Sequence, residues 1–67
     1  MAVRLLSYDE VVEHLTRFNC VQVIDYGLAA LWRTPKNFHF SVPQLGPDKR
    51  CDEYSWAKII QDIAPYL

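Results

Sequence analysis

The side chains best suited to chemistry in this chain are two histidines, two cysteines and seven Lys/Arg residues. Histidine is the natural proton carrier near neutral pH. His39 sits in "FHFSV", where it alternates with apolar neighbours and falls on the polar side of a strand-like run. It is the better candidate of the two, although a lone strand histidine is ordinarily structural. His14 lies on the flank of a helical stretch and reads as a solvated surface residue. Neither has a nucleophile or a paired carboxylate beside it, so the spacing gives no acid–base pair or triad. Cys20 and Cys51 stand alone rather than in a C-x-x-C pair, which argues against zinc. Cys20 lies among apolar residues and is expected in the core; Cys51 lies among charges and is expected to be exposed. The chain contains no glycine-rich phosphate loop, no metal-ligand spacing and no serine elbow. No metal or cofactor is expected.

Arg33, Lys36, Lys49 and Arg50 come from three neighbouring stretches. Folding could gather them into a phosphate-binding edge, or leave them as a solvated rim. Asp48 and Asp52 flank the last two and weaken the field there. Trp32 and Trp56 read as core or interface residues; stacking on a base is the alternative for Trp32.

These side chains must be positioned by a small set of elements. "LLSYDEVVEHLTRF" opens with a capping box, Ser7 and Glu10, and a hydrophobic staple, Leu6 and Val11. Asp9 and Glu10 suit the positive end of the helix dipole. Tyr8, Val11, Val12, Leu15 and Phe18 form one apolar face of a helix of about three turns. Asn19 can end it in the left-handed conformation. "NCVQVIDYG" follows, with Val21, Val23 and Ile24 favouring a strand and Asp25-Tyr26-Gly27 a turn. "LAALWRT" is a second strand and "PKN" a turn. "FHFSVPQL" is the clearest strand, apolar at Phe38, Phe40 and Val42 and polar at His39 and Ser41, with Pro43 at its end or edge. "GPDKRCDE" reads as a polar loop. "YSWAKIIQDI" is a second amphipathic helix through Trp56, Ile59, Ile60 and Ile63, capped by Asp52 or Ser55 and ended by Pro65.

The expected fold class is α+β in the order α-β-β-β-α: a three-stranded antiparallel meander with both helices on one face. Double-stranded-RNA-binding modules share that order, an analogy that fixes no function. Residues 1–67 are expected to form one domain, and a chain of this size buries only about 60% of its unfolded surface. Composition is 51% hydrophobic with two Trp, four Tyr and three Phe, so a partner subunit is an expected source of further cover. The net charge of −1 gives no general support for nucleic-acid binding. No signal peptide or membrane-length apolar run is visible, so a cytoplasmic protein with reduced thiols is expected.

Taken in order, these motifs resemble the HicA (YcfA-like) toxins, the mRNA-interferase partners of HicAB toxin–antitoxin modules. The resemblance spans roughly residues 5 to 64 and rests on four stretches. "LSYDEVVEHLTRF" is similar to the family's first helix. "YGLAALWRTP" follows the outline of its glycine turn, strand, aromatic, basic residue and proline. "FHFSVPQLG" matches its V-P strand end through Val42, Pro43 and Gly46. "YSWAKIIQDI" matches its last helix. The family's catalytic histidine follows the glycine by two positions, which is Ala29 here, with Leu28 in the Ser/Thr position. The resemblance implies metal-independent RNA cleavage, with the RNA's 2′-hydroxyl as nucleophile and a histidine as acid–base group. Alanine cannot move a proton, so this form is expected to be inactive. Ala29 is either a replacement made to silence a toxin or the protein's own residue. In the latter case the chain is a non-catalytic relative, or uses His39. The resemblance further implies Gly27, Arg33, Lys36 and Lys49 as the RNA-binding set. It also implies a HicB-like antitoxin as partner in a hetero-oligomer, and mRNA as substrate. The alternative is an RNA- or protein-binding module that keeps the fold without the chemistry.

Overall fold

The three-dimensional structure is a computed structural model that describes residues 4–67. Its large elements follow the expected order. Helix α1 spans Tyr8–Arg17, strands β2, β3 and β4 span Val21–Asp25, Ala29–Arg33 and His39–Pro43, and helix α2 spans Glu53–Ile63. Two short strands were not foreseen: β1 (Leu5–Leu6) and β5 (Cys51–Asp52), which pair antiparallel and tie the start of α1 to the start of α2. A 3₁₀ turn, Ala64–Tyr66, follows α2 around Pro65.

Local chemistry explains the boundaries. Ser7 Oγ accepts the Glu10 backbone N–H (3.1 Å), which is the N-cap half of the capping box. Asn19 takes φ +61 after α1 and closes it. The Asp52 carboxylate accepts the Ser55 N–H (3.0 Å) and so is the cap of α2. Between β3 and β4, Thr34 accepts the Asn37 N–H and its hydroxyl accepts the Phe38 N–H, closing the Pro35-Lys36 turn. Asn37 there holds φ +67, which asparagine tolerates.

The three-stranded sheet has the order β2-β3-β4, antiparallel throughout. Directly opposed residues share a face. Ala30 pairs with Val42 and Trp32 with Phe40, and all four are buried. They form one core with Val11 and Leu15 of α1 and Ile59 and Ile63 of α2, so both helices cover this face. His14 and Trp56 rings lie 5.8 Å apart where the helices meet. Trp32 is a core residue, which removes it from any base-stacking role.

The opposite face stays open. It carries Ala29, Leu31 and Arg33 of β3, opposite Pro43, Ser41 and His39 of β4. Val21 pairs with Arg33 and Ile24 with Leu31, which puts them on the same open face. A register shift between Gln22 and Ile24 leaves Val23 as a bulge in edge strand β2.

The expectation of an exposed Cys51 is overturned. Its residue is 0% exposed, because β5 pairs with β1 and turns the thiol inward against Leu6 and the core. The charges around it in sequence face outward on the same short strand and loop. No helix among the described residues is long and apolar enough to cross a membrane.

Candidate functional site

Position 29 opens β3, two residues after the Gly27 turn, and lies on the open face opposite Pro43. The turn before it is tightly fixed. Gly27 adopts φ +88, a conformation strained for any residue with a side chain. Its N–H donates to Asp25 Oδ1 (2.8 Å), and the Tyr26 N–H donates to the Ala29 carbonyl (2.8 Å). Gln44 completes the frame. Its backbone N–H donates to the Leu28 carbonyl (2.8 Å), and its Nε2 donates to both Gly27 O and Asp25 Oδ1 (2.9 Å each). Gln44 is buried, and its backbone N–H and side-chain Nε2 together tie three points of the turn, which makes it the organiser of this turn.

Asp25 is the electrostatic centre. Lys49 Nζ lies 2.8 Å from its second oxygen, Oδ2. The hydrogen bond from Lys49, then those from the Gly27 N–H and Gln44, hold the Asp25 carboxyl down to about 2. The same pair raises Lys49 above its ordinary value. Lys49 reaches Asp25 from a residue with φ +54, an uncommon conformation for lysine, and its ammonium stands 5.3 Å from the centre of the Tyr8 ring. Asp25 pairs with Ala30, so its carboxylate and Lys49 belong to the helix-covered side of the sheet.

The residues named from sequence therefore separate into two groups. Gly27 shapes the turn at position 29, and Lys49 braces that turn from behind. Arg33 and His39 oppose each other at the far end of the open face, and Lys36 sits in the hairpin turn between them. Ala29 and Arg33 are four residue steps apart along β3, about 13 Å at about 3.3 Å per residue. A general base must stand within about 3 Å of the proton it takes. His39 consequently does not occupy the place of a histidine at 29.

Charge pairing sharpens the division. Arg4–Glu10, Arg17–Glu13, Lys49–Asp25 and Arg50–Asp48 are ion pairs. Among the described residues, Arg33, Lys36 and Lys58 have no carboxylate within 4.0 Å. Two of these three stand at the Arg33–His39 end of the open face. Among the described residues no cluster of His, Cys, Asp and Glu has the makings of a metal site.

As a chemical arrangement, the open face offers cations at one end, aliphatic side chains in its middle and a rigid turn at the other end. It presents no proton carrier at position 29. Gln44 was missed from sequence. Its signal was the alternation itself, since 38, 40, 42 and 44 point inward together. No family model, no curated protein and no solved structure matches this chain.

Proposed function

We propose that this chain is a HicA-like domain of a type II toxin–antitoxin pair, with a double-stranded-RNA-binding-like fold and an mRNA-cleaving site whose acid–base position is occupied by Ala29. In this form it holds RNA or its antitoxin without cutting. The observation that carries the proposal is the placement of position 29. It sits on the open sheet face, directly after a glycine turn fixed by Asp25, Gln44 and Lys49. A catalytic side chain there would be held on a rigid element and aimed at solvent, as preorganised catalysis demands. Arg33 and Lys36 hold phosphates farther along the same face, with His39 orienting the strand. Lys49 acts through the turn rather than on RNA. The partner is a HicB-like antitoxin that covers this face in a cytoplasmic hetero-oligomer.

The chemistry defines the test. With histidine at 29, the imidazole takes the proton from an RNA 2′-hydroxyl, whose oxygen attacks the adjacent phosphorus. The bond to the 5′-oxygen breaks and that oxygen is protonated, leaving a 2′,3′-cyclic phosphate and a 5′-hydroxyl end. Ala29→His is expected to cleave a defined mRNA in the presence of chelator, at least 100-fold faster than the Ala29 form, and to arrest growth when induced. A folded Ala29→His protein that cuts nothing refutes the ribonuclease reading.

A second reading is favoured by one observation: as it stands, the chain carries no proton-transferring side chain at position 29, and His39 stands on β4 opposite Arg33, about 13 Å farther along the sheet. On that reading the domain is a binding module that keeps the fold without the reaction.

A further inference from the structure

The residue facing position 29 across the hairpin is Tyr26. Ile24 pairs with Leu31 and Asp25 with Ala30. The Tyr26 N–H donates to the Ala29 carbonyl (2.8 Å), which carries the same register one step farther and sets Tyr26 opposite Ala29. Only Gly27 and Leu28 lie between them, a two-residue reversal in which the leading glycine supplies the positive φ. Opposed residues share a sheet face, with Cβ atoms about 5 Å apart. Ala29 is on the open face, so the Tyr26 side chain leaves the backbone on that face too. Tyr26 is 66% exposed.

Three features suit this ring to a nucleobase. Its backbone is held on both sides, Asp25 by Lys49 and Gln44, and Gly27 by its own N–H to Asp25 and by Gln44 Nε2. A tyrosine on a fixed backbone has two side-chain torsions to order, so its immobilisation costs little. The paired residues of the open face include no carboxylate to repel a phosphate backbone. Arg33 and Lys36, with no carboxylate within 4.0 Å among the described residues, stand at the other end of that face. An aromatic platform and cations along one surface are the two components of a single-strand binding groove. Other rings are engaged elsewhere. Trp32 and Phe40 face the core, the Lys49 ammonium stands over Tyr8, and Tyr66 is stacked on Phe38 at 4.1 Å. Tyr54 stands on α2, which covers the opposite face of the sheet.

We infer that Tyr26 is a base-stacking residue of the RNA site: its ring packs on the nucleobase next to the phosphate placed at position 29, while Arg33 and Lys36 hold the strand farther along. The inference rests on the RNA reading proposed above and adds the contact that fixes which nucleotide lies at position 29. Every base has a π-face, so this contact sets the register of the strand rather than its sequence.

The test uses the Ala29 protein, which on this reading binds without cutting, and a fluorescein-labelled single-stranded RNA of about eight nucleotides. Binding is read by fluorescence anisotropy over a series of salt concentrations. Tyr26→Ala and Tyr26→Leu should each weaken binding at least about 5-fold at every salt concentration, because the lost contact is uncharged. Tyr26→Phe keeps the ring and should stay within about 2-fold, as should Tyr54→Ala. Arg33→Ala/Lys36→Ala should instead flatten the salt dependence. The same RNA carrying 5-iodouridine, irradiated on the protein, should be found joined to Tyr26. Circular dichroism melts establish that each variant is folded, and Tyr26→Leu, which keeps an apolar side chain without a π-face, serves if Tyr26→Ala does not fold. Three outcomes overturn the inference and leave the RNA reading standing: binding weakened by the Arg33/Lys36 pair but unmoved by Tyr26→Leu, a Tyr26→Phe protein as weak as Tyr26→Ala, or a crosslink at Tyr54 or Tyr66 in place of Tyr26. An Ala29 protein with no measurable affinity for this RNA overturns the inference as well, and the RNA reading falls with it if Ala29→His also fails to cut.

Discussion

Cys20 and Cys51 are free thiols buried in the same core, and their reactivity follows from that burial. Burial raises the Cys20 thiol, and burial followed by the nearby Asp52 carboxylate pushes Cys51 up to about 11. The thiolate is the reactive species. Both thiols should therefore react slowly with Ellman's reagent at pH 8 in the native protein and promptly once it is unfolded in urea. Rapid reaction of two thiols in the folded state would contradict the placement of Cys51. The Asp25 carboxyl is the opposite case. Its titration, followed by NMR, should centre near 2 and move towards the ordinary aspartate value of about 3.8 in Lys49→Met. Because the folded value lies below the unfolded one, this group's contribution to stability is full above about pH 4 and is lost as pH falls through about 2. At this scale the sequence was only partly legible. Turn chemistry at Gly27 could be read directly. The positions of Lys49 and Gln44 could not, because their partner Asp25 lies 24 and 19 residues away and only the folded register brings them together.

The elements owe their ends to caps, and caps are local enough to read from spacing alone. Ser7→Ala and Asp52→Ala should each cost about 1 kcal/mol in urea unfolding, since each removes an acceptor from a helix's first free N–H groups. A cost near zero for both would mean that the β1–β5 pairing, rather than the caps, sets the helix starts. The long elements were legible because their apolar periods are long enough to count: Tyr8 to Phe18, Phe38 to Val42, Trp56 to Ile63. The pairing of Leu5–Leu6 with Cys51–Asp52 was not, because two residues have no period. That same omission produced the wrong expectation for Cys51. Strand β2 was read correctly from its β-branched residues, although all five of its residues are exposed. Propensity identified the element but carried no information on which surface would remain uncovered.

At the scale of the molecule, a single core cluster among the described residues joins both helices to one sheet face. Domains of this size are worth roughly 3–10 kcal/mol in total. Leu15 and Ile63 are 0% exposed at its centre. Leu15→Ala should cost about 3 kcal/mol or more. Thermal melting should then show a midpoint lowered by at least about 10 °C. A loss below about 1 kcal/mol would show that α1 is not a structural part of the core. The candidate site itself lies outside this cluster, with 29 and 33 on the uncovered face and 36 in the exposed turn beyond it, so substitutions at these positions can be read as functional changes with little structural cost.

The displaced Val23 has a consequence for how this protein behaves at high concentration. Val-Gln-Val-Ile on an uncovered sheet margin is the kind of segment from which fibrils grow, because a straight row of free amides can template the next chain. One residue out of step breaks that row and twists the margin away from a flat stack. The bulge thus guards against self-assembly into cross-β, and it leaves the apolar face beside it available for another molecule.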